Sequence, residues 1–286
     1  MIYKMNDLND KLTQYIMKAY KNNVPLKEIE QTVNIAHNTL TAFLGKQGIY
    51  LEREYLPSFE IRGNKILIIA DTHIGSRKEN FSYIDMAYDK GVAEGVKACL
   101  HLGDLVQGVY DKYYDDINYQ IKALDTRFPS VDEFLTYLIL GNHDYSVFES
   151  NDEAKYVLEN KKGLCPLGYK KVYFNWNNYL FDMIHPVKQL RDELPMVDVA
   201  LHYIGHGHEL RIKTPSKLKT PTLSDDIINQ TNGAFPGFLI GTLNEDYLST
   251  DVYYFKKGKV KLKKRNYFTK QMLDIYKVKW YKWMEC

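Results

Sequence analysis

The chain has 286 residues, 45% apolar and 26% charged, with a formal charge of +2. This is the make-up of an ordinary globular protein, and it supplies no overall charge to hold a polyanion. The three cysteines, Cys99, Cys165 and Cys286, form no Cys-x-x-Cys pair, which argues against a zinc ribbon or a disulfide framework and fits a reducing, cytoplasmic setting. No stretch reaches the roughly 18–20 apolar residues of a membrane span, and residues 1–7 show no basic leader running into an apolar core.

Residues 1–50 read as a small all-α domain. Leu8, Leu12, Ile16 and Ala19 share one helical face. Asn22-Asn23 breaks that helix, Pro25 suits the first turn of a second one bearing Leu26, Ile29 and Val33, and a third carries Leu40, Phe43 and Leu44 before Gly48. Two short helices joined by a tight turn resemble a helix-turn-helix, with His37, Asn38, Thr39 and Thr41 opening the recognition helix. DNA is the partner this implies. A three-helix module that packs on the main domain or a protein partner is the alternative. Residues 1–55 hold seven Lys/Arg against six Asp/Glu, which is weak for a phosphate-binding face.

Residues 51–61, with Pro57, read as a linker, and 62–265 as the main domain. Ile66-Leu67-Ile68-Ile69 is a short continuous β-branched run, the pattern of a buried strand, and Asp71-Thr72-His73 follows it directly. A helix is expected over 83–94. Four further strands are expected: 97–102 before Gly103-Asp104, 134–140 before Gly141-Asn142-His143-Asp144, 179–184 before His185, and 197–204 before Gly205-His206-Gly207-His208. An aromatic and acidic insertion runs from Tyr110 to Phe128, helical over 117–124. Strands over 235–243 and 251–255 precede a hairpin turn at Lys257-Gly258, entering Val260-Lys261-Leu262. Residues 256–265 hold six Lys and one Arg with no acid, the dress of a solvated edge strand or of a phosphate-tracking face. Residues 266–286 form a basic, aromatic tail whose rings either stack on bases or pack a terminal helix.

The first five of these expected strand ends are each closed by metal-ligand residue types. Collected, they are Asp71, His73, Asp104, Asn142, His143, His185, His206 and His208; His101 and His202 point elsewhere. Mixed imidazole and carboxylate donors suit manganese, iron, zinc or nickel better than magnesium or calcium. The set is too large for one tetrahedral ion and suits two ions about 3.5–4 Å apart that share a carboxylate.

Asp71-x-His73, Gly103-Asp104, Gly141-Asn142-His143-Asp144, a lone His185 and Gly205-His206-x-His208 resemble, in order, the five motifs of the calcineurin-like metallophosphoesterases. The resemblance covers residues 62–260. It implies an α/β fold, a four-layer metallophosphoesterase β-sandwich flanked by helices, here behind the helix-turn-helix domain. It implies a phosphoester substrate and two divalent cations, manganese foremost. Asp71, His73 and His208 would hold one ion, Asn142, His185 and His206 the other, and Asp104 would bridge them. His143 would stand over the phosphoryl group as general acid while a metal-bridging hydroxide attacks phosphorus. The catalytic set is thus His143, Asn142 and Asp104. Asp144 would shape its loop, and Asp182 and His202 would be structural.

Asp71-Thr72-His73-Ile74-Gly75 is similar to the opening motif of SbcD-type nucleases, although Gln107 stands where they carry Asp or His. The Arg-containing motif of serine/threonine phosphatases is missing. The arrangement resembles phosphoesterases of bacteria and their phages. DNA phosphodiester cleavage is the leading expectation. The alternatives are a phosphatase or phosphodiesterase of small nucleotides or phosphoproteins, and a DNA- or partner-binding protein with a regulatory metal site.

Overall fold

The run Lys65–Ile69 is a strand with both faces covered: Ile66, Leu67, Ile68 and Ile69 are all fully buried. Side chains alternate along a strand, so such a run can only be satisfied by packing on each side of a sheet. A computed structural model describes residues 10–22, 24, 26–34, 40, 43–44, 59–110, 116–186, 199–208, 210–214, 217–225 and 235–269.

The chain divides into two compact units, residues 1–56 with 193–197, and residues 57–192 with 198–286. In the first, helices Asp10–Lys21 and Leu26–Val33 are in contact. Ile16, Ala19 and Ile29 on these helices are buried, as are Leu40, Phe43 and Leu44. The expected recognition residues His37, Asn38, Thr39 and Thr41 lie outside the described residues, as do Leu8 and Pro25.

The second unit is built on two sheets. Its strands in chain order are β1 (Phe59–Ile61), β2 (Lys65–Ile69), β3 (Ala98–His101), β4 (Leu135–Leu140), β5 (Leu164–Tyr169), β6 (Lys171–Trp176), β7 (Tyr179–Ile184), β8 (His202–Ile204), β9 (Arg211–Thr214), β10 (Lys217–Lys219), β11 (Gly237–Leu243), β12 (Tyr247–Lys256) and β13 (Lys259–Thr269). One sheet has seven strands in the order β13-β12-β11-β2-β3-β4-β5, the other six in the order β1-β6-β7-β8-β10-β9. Strands β2 to β5 run parallel, while β11, β12 and β13 complete that sheet antiparallel.

Ile66, Ile68, Leu100 and Leu239 of the larger sheet share a core with Phe174, Trp176, Phe181 and Tyr203 of the smaller. The alternate residues, Leu67, Ile69, Cys99 and Leu138, pack against Ile84 and Tyr88 of helix Phe81–Glu94, Leu124 of Ile117–Arg127 and Leu158 of Asp152–Asn160. The expected α/β sandwich of two sheets with helices is what forms. Local chemistry sets the helix limits. Asp116 caps Ile117–Arg127 by accepting from Tyr119 N at 3.0 Å. Gly95, at φ 70°, closes Phe81–Glu94 in the left-handed conformation that glycine takes without cost.

Several elements differ from the sequence expectation. Phe59–Ile61, inside the stretch read as a linker, pairs in parallel with β6. Strand β5 was not expected because Pro166 and Gly168 interrupt it; as an edge strand with a register shift opposite Leu138/Ile139 it tolerates both. Strand β6 and helices Asn142–Phe148 and Asp152–Asn160 are additional. Of the strand expected over 197–204, only His202–Ile204 forms a strand; 197 and 198 lie outside the described residues, and Val199, Ala200 and Leu201 are buried, with Ala200 N donating to Leu180 O of β7 at 2.8 Å. The first four residues of the expected tail belong to β13, and 270–286 lie outside the described residues.

Candidate metal centre

Five strands end at one place. Asp71 follows β2, Asp104 follows β3, Asn142 follows β4, His185 follows β7, and His206 and His208 follow β8. The first three strands belong to one sheet and the last two to the other, so the residues meet where the carboxyl ends of both sheets come together. That edge is where open α/β sheets hold ligands.

The backbone bends sharply to bring them in. Asp71, His73, Asp104, His206 and His208 all take left-handed φ angles, between 45° and 64°. Non-glycine residues adopt this region at an energetic cost, and clusters of them mark sites where geometry serves function. Main-chain bonds hold the bends: Asp71 N donates to Gly103 O at 3.0 Å, and His73 N to Asp104 O at 3.1 Å. His206 N donates to the Asp71 carboxylate at 3.0 Å, and His143 N to Asp104 Oδ1 at 3.1 Å. Gly141 permits the closest approach. A Cβ there would lie 2.2 Å from Asp104 Oδ1 and 2.7 Å from His185 Nε2.

Donor atoms of Asp71, His73 and His208 lie within 4.8 Å of one another, as do those of His73, Asp104 and His143, and those of Asp104, His185 and His206. Asp104 therefore belongs to two of the three groups. His73 Nε2 is 3.0 Å from His208 Nε2, and His185 Nε2 is 3.1 Å from both His206 Nδ1 and Asp104 Oδ2. Asn142 opens the helix beside Asp104, and its Oδ1 is buried without a hydrogen bond. The structure thus brings together the donor atoms of seven of the eight residues singled out by sequence, and Asn142 adjoins His143 of that set.

Electrostatics match a cation site. Burial opposes charge on Asp104, yet the His185 imidazole and hydrogen bonds with His185 and His206 hold its carboxyl well below the usual range. Burial also disfavours a charged His185, but Asp104 outweighs it and pushes the ring up to about 9. Burial keeps His73 well below its ordinary value, so it stands neutral with a lone pair to offer. Burial raises Asp71 despite the opposing His208.

The residues fit divalent ions. Two nitrogens bound at about 2.1 Å to one ion at a right angle lie about 3 Å apart, the separation seen in both histidine pairs. Asn142 Oδ1 is buried without a hydrogen bond, an arrangement that costs energy unless something else satisfies it. His185 Nδ1 meets Leu102 O at 2.7 Å. A carbonyl only accepts, so Nδ1 keeps its proton, while Nε2 would give up the proton that Asp104 favours to an incoming cation and present its lone pair to the site.

Thr72, His101 and Thr222 were not visible in sequence as supporting residues. Thr72 Oγ1 donates to Leu105 O at 2.8 Å and therefore accepts from His101 Nε2 at 3.1 Å; burial pushes His101 down to about 3, so it stands neutral. Thr222 Oγ1 donates to Asp71 O at 2.7 Å. Only Thr72, lying between Asp71 and His73, carried a positional hint. Asp144 is fully buried and accepts from Val106 N and Gly141 N, both at 2.9 Å. Burial and the Asp104 charge push it up to about 7. Asp182 accepts from His202 Nδ1 at 2.9 Å and pairs with Lys171 at 3.1 Å.

A two-sheet α/β sandwich with nitrogen and oxygen donors gathered at the carboxyl ends of its strands, and no thiolate among them, is the frame of a metal-dependent phosphoesterase. Residues 64–230 match the calcineurin-like phosphoesterase family, and the chain belongs to it. Among solved structures the chain is similar to Vps29 of Cryptosporidium parvum (19% identity, 73% of this chain and 99% of that one, TM-score 0.46). It is also similar to YfcE, a phosphoesterase from E. coli (14%, 71% and 98%, 0.45), and to a predicted phosphoesterase from Streptococcus pneumoniae (12%, 72% and 98%, 0.42). No curated protein sequence matches the chain. Among the described residues no helix is long and apolar enough to cross a membrane.

Proposed function

We propose that the chain is a two-metal phosphoesterase that hydrolyses phosphodiesters, those of DNA foremost. One observation carries the two-metal reading: the Asp104 carboxylate lies within reach of both His73 and the His185–His206 pair. Asp71, His73 and His208 would hold one divalent ion and Asn142, His185 and His206 the other, with Asp104 between them. The donor set favours manganese, with iron, zinc or nickel as alternatives. Bound there, the ions would supply positive charge for the phosphoryl oxygens and make water a nucleophile near neutral pH.

His143 is the residue left for proton transfer. Its Nδ1 donates to Gln107 O at 2.6 Å, and its ring meets His73 edge-on with centroids 4.7 Å apart. The Gln107 contact fixes the ring and leaves Nε2 to pass a proton to the leaving oxygen. Asp144 ties the Gly141–Asp144 turn to Val106 and so keeps His143 in register with Asp104.

The DNA preference rests on the Asp71–Gly75 motif and on residues 1–50 read as a helix-turn-helix, with 62–265 as the catalytic domain. The two described cysteines, Cys99 and Cys165, are unpaired, which supports a cytoplasmic setting. The test is a manganese-supplemented activity panel of single-stranded DNA, duplex DNA, cyclic nucleotides and phosphopeptides. Turnover of DNA above the others is expected. Turnover of phosphopeptides alone would overturn the DNA reading, and turnover of none would overturn the phosphoesterase.

A further inference from the structure

An aromatic rim borders the centre and takes no part in the donor set. Tyr110 lies over the His143 ring, with centroids 4.5 Å apart and planes inclined at 52°, and is 56% exposed. Tyr145 and Tyr169 stack at 4.4 Å and 17°, with Tyr145 38% exposed. Lys170 Nζ stands 4.6 Å from the Tyr169 ring centre. Burial raises the Tyr169 hydroxyl, and Tyr110, Tyr145 and Asp104 raise it further, so these groups share one neighbourhood.

The rim is fixed to the same backbone as the donors. Tyr145 sits two residues after His143 on one short helix, and its hydroxyl donates to Glu149. Lys170 N donates to Leu140 O at 3.1 Å, immediately before Gly141, and Lys170 O accepts from His185 N at 2.7 Å. The Tyr145 and Tyr169 rings are therefore carried by the backbone that carries Asn142, His143 and His185, and Tyr110 is placed by its contact with His143. An aromatic face left in water beside a phosphoryl site is suited to stacking on a planar base, whatever the base is. A nearby ammonium adds attraction for the phosphate that joins base to base.

We propose that Tyr110, backed by the Tyr145–Tyr169 pair and Lys170, is a nucleobase platform. The phosphoester taken at this site is then a nucleoside phosphodiester, with the base one sugar away from the scissile phosphorus lying on the Tyr110 ring. This rests on the phosphoesterase reading above and names its substrate class. Tyr110 is a specificity residue here; it binds a part of the substrate that does not react.

The test compares a thymidine dinucleotide with the same dinucleotide lacking both bases, using the full chain loaded with manganese. Hydrolysis is followed by mass spectrometry. In parallel, calorimetry measures the affinity for thymidine 5′-monophosphate against deoxyribose 5-phosphate. Wild type should favour the base-bearing member about tenfold or more in both measurements. Tyr110→Leu should cut that preference at least fivefold, and Tyr110→Trp should keep it. Equal affinities in wild type, or a preference untouched in Tyr110→Leu, would overturn the platform. If the affinities behave as expected while neither dinucleotide is cut, the platform stands and the phosphoesterase reading fails.

Discussion

His185 Nδ1 lies 2.7 Å from the carbonyl oxygen of Leu102, the residue just past β3. That contact joins the two sheets at the centre, since His185 follows β7 of the smaller sheet, and it decides which imidazole nitrogen can bind a cation. If the centre holds two ions as proposed, His185→Ala should remove one of them. Elemental analysis of protein grown with manganese should find at most about half of the wild-type metal. Full occupancy would show that His185 is not a ligand.

His143→Ala should behave differently. The ring is anchored by Gln107 O, and although it lies within 4.8 Å of donor atoms of His73 and Asp104 it is not assigned as a ligand. Metal content should be unchanged while turnover of a phosphodiester falls at least about a hundredfold, the usual size of a lost proton-transfer group. Wild-type turnover in the variant would remove His143 from the mechanism.

Gly141→Ala is a steric test. Gly141 has φ −89°, which any residue can adopt, so the backbone raises no objection. The added methyl would nevertheless fall 2.2 Å from Asp104 Oδ1. Asp104 must give way, and manganese affinity should fall by about tenfold or more, as it does when the partners of a metal ligand are disturbed. Circular dichroism should stay native. Unchanged affinity by calorimetry would mean that Asp104 has room to move and still bind.

Away from the centre, Glu94 ties Lys65 of β2 to Lys90 of its own helix, at 2.8 and 2.6 Å. Hydrogen bonds from Lys65 and Lys90 lower its carboxyl from 4.5 to about 2. A depressed carboxyl stabilises the fold above its unfolded value and loses that contribution as pH falls through the folded one. Glu94→Gln should cost up to about 1 kcal/mol at pH 7, since the pair is partly solvated. The difference from wild type should shrink between pH 4.5 and 2. Urea denaturation at pH 7, 5 and 3.5 measures this, and a gap that widens on acidification would contradict the assignment.

The residues of the centre were legible because each one follows a short apolar run, and a buried strand with a ligand-type residue just past its end is a local pattern. Ile66–Ile69 before Asp71 and Tyr179–Ile184 before His185 needed nothing from elsewhere in the chain. Strand β5 and helix Asn142–Phe148 were not legible. Pro166 and Gly168 break the local strand signal that edge position permits, and seven residues are too few to show helical periodicity. Residue types and their order along the chain already mark which side chains are chemically fit to hold cations and the order in which the strands deliver them. Tertiary structure alone decided that two sheets bring their carboxyl ends to one edge, which His185 nitrogen is presented, and that Tyr110 lies on His143. These are contacts between residues 33 to 135 positions apart, and no local pattern encodes a distance across a fold.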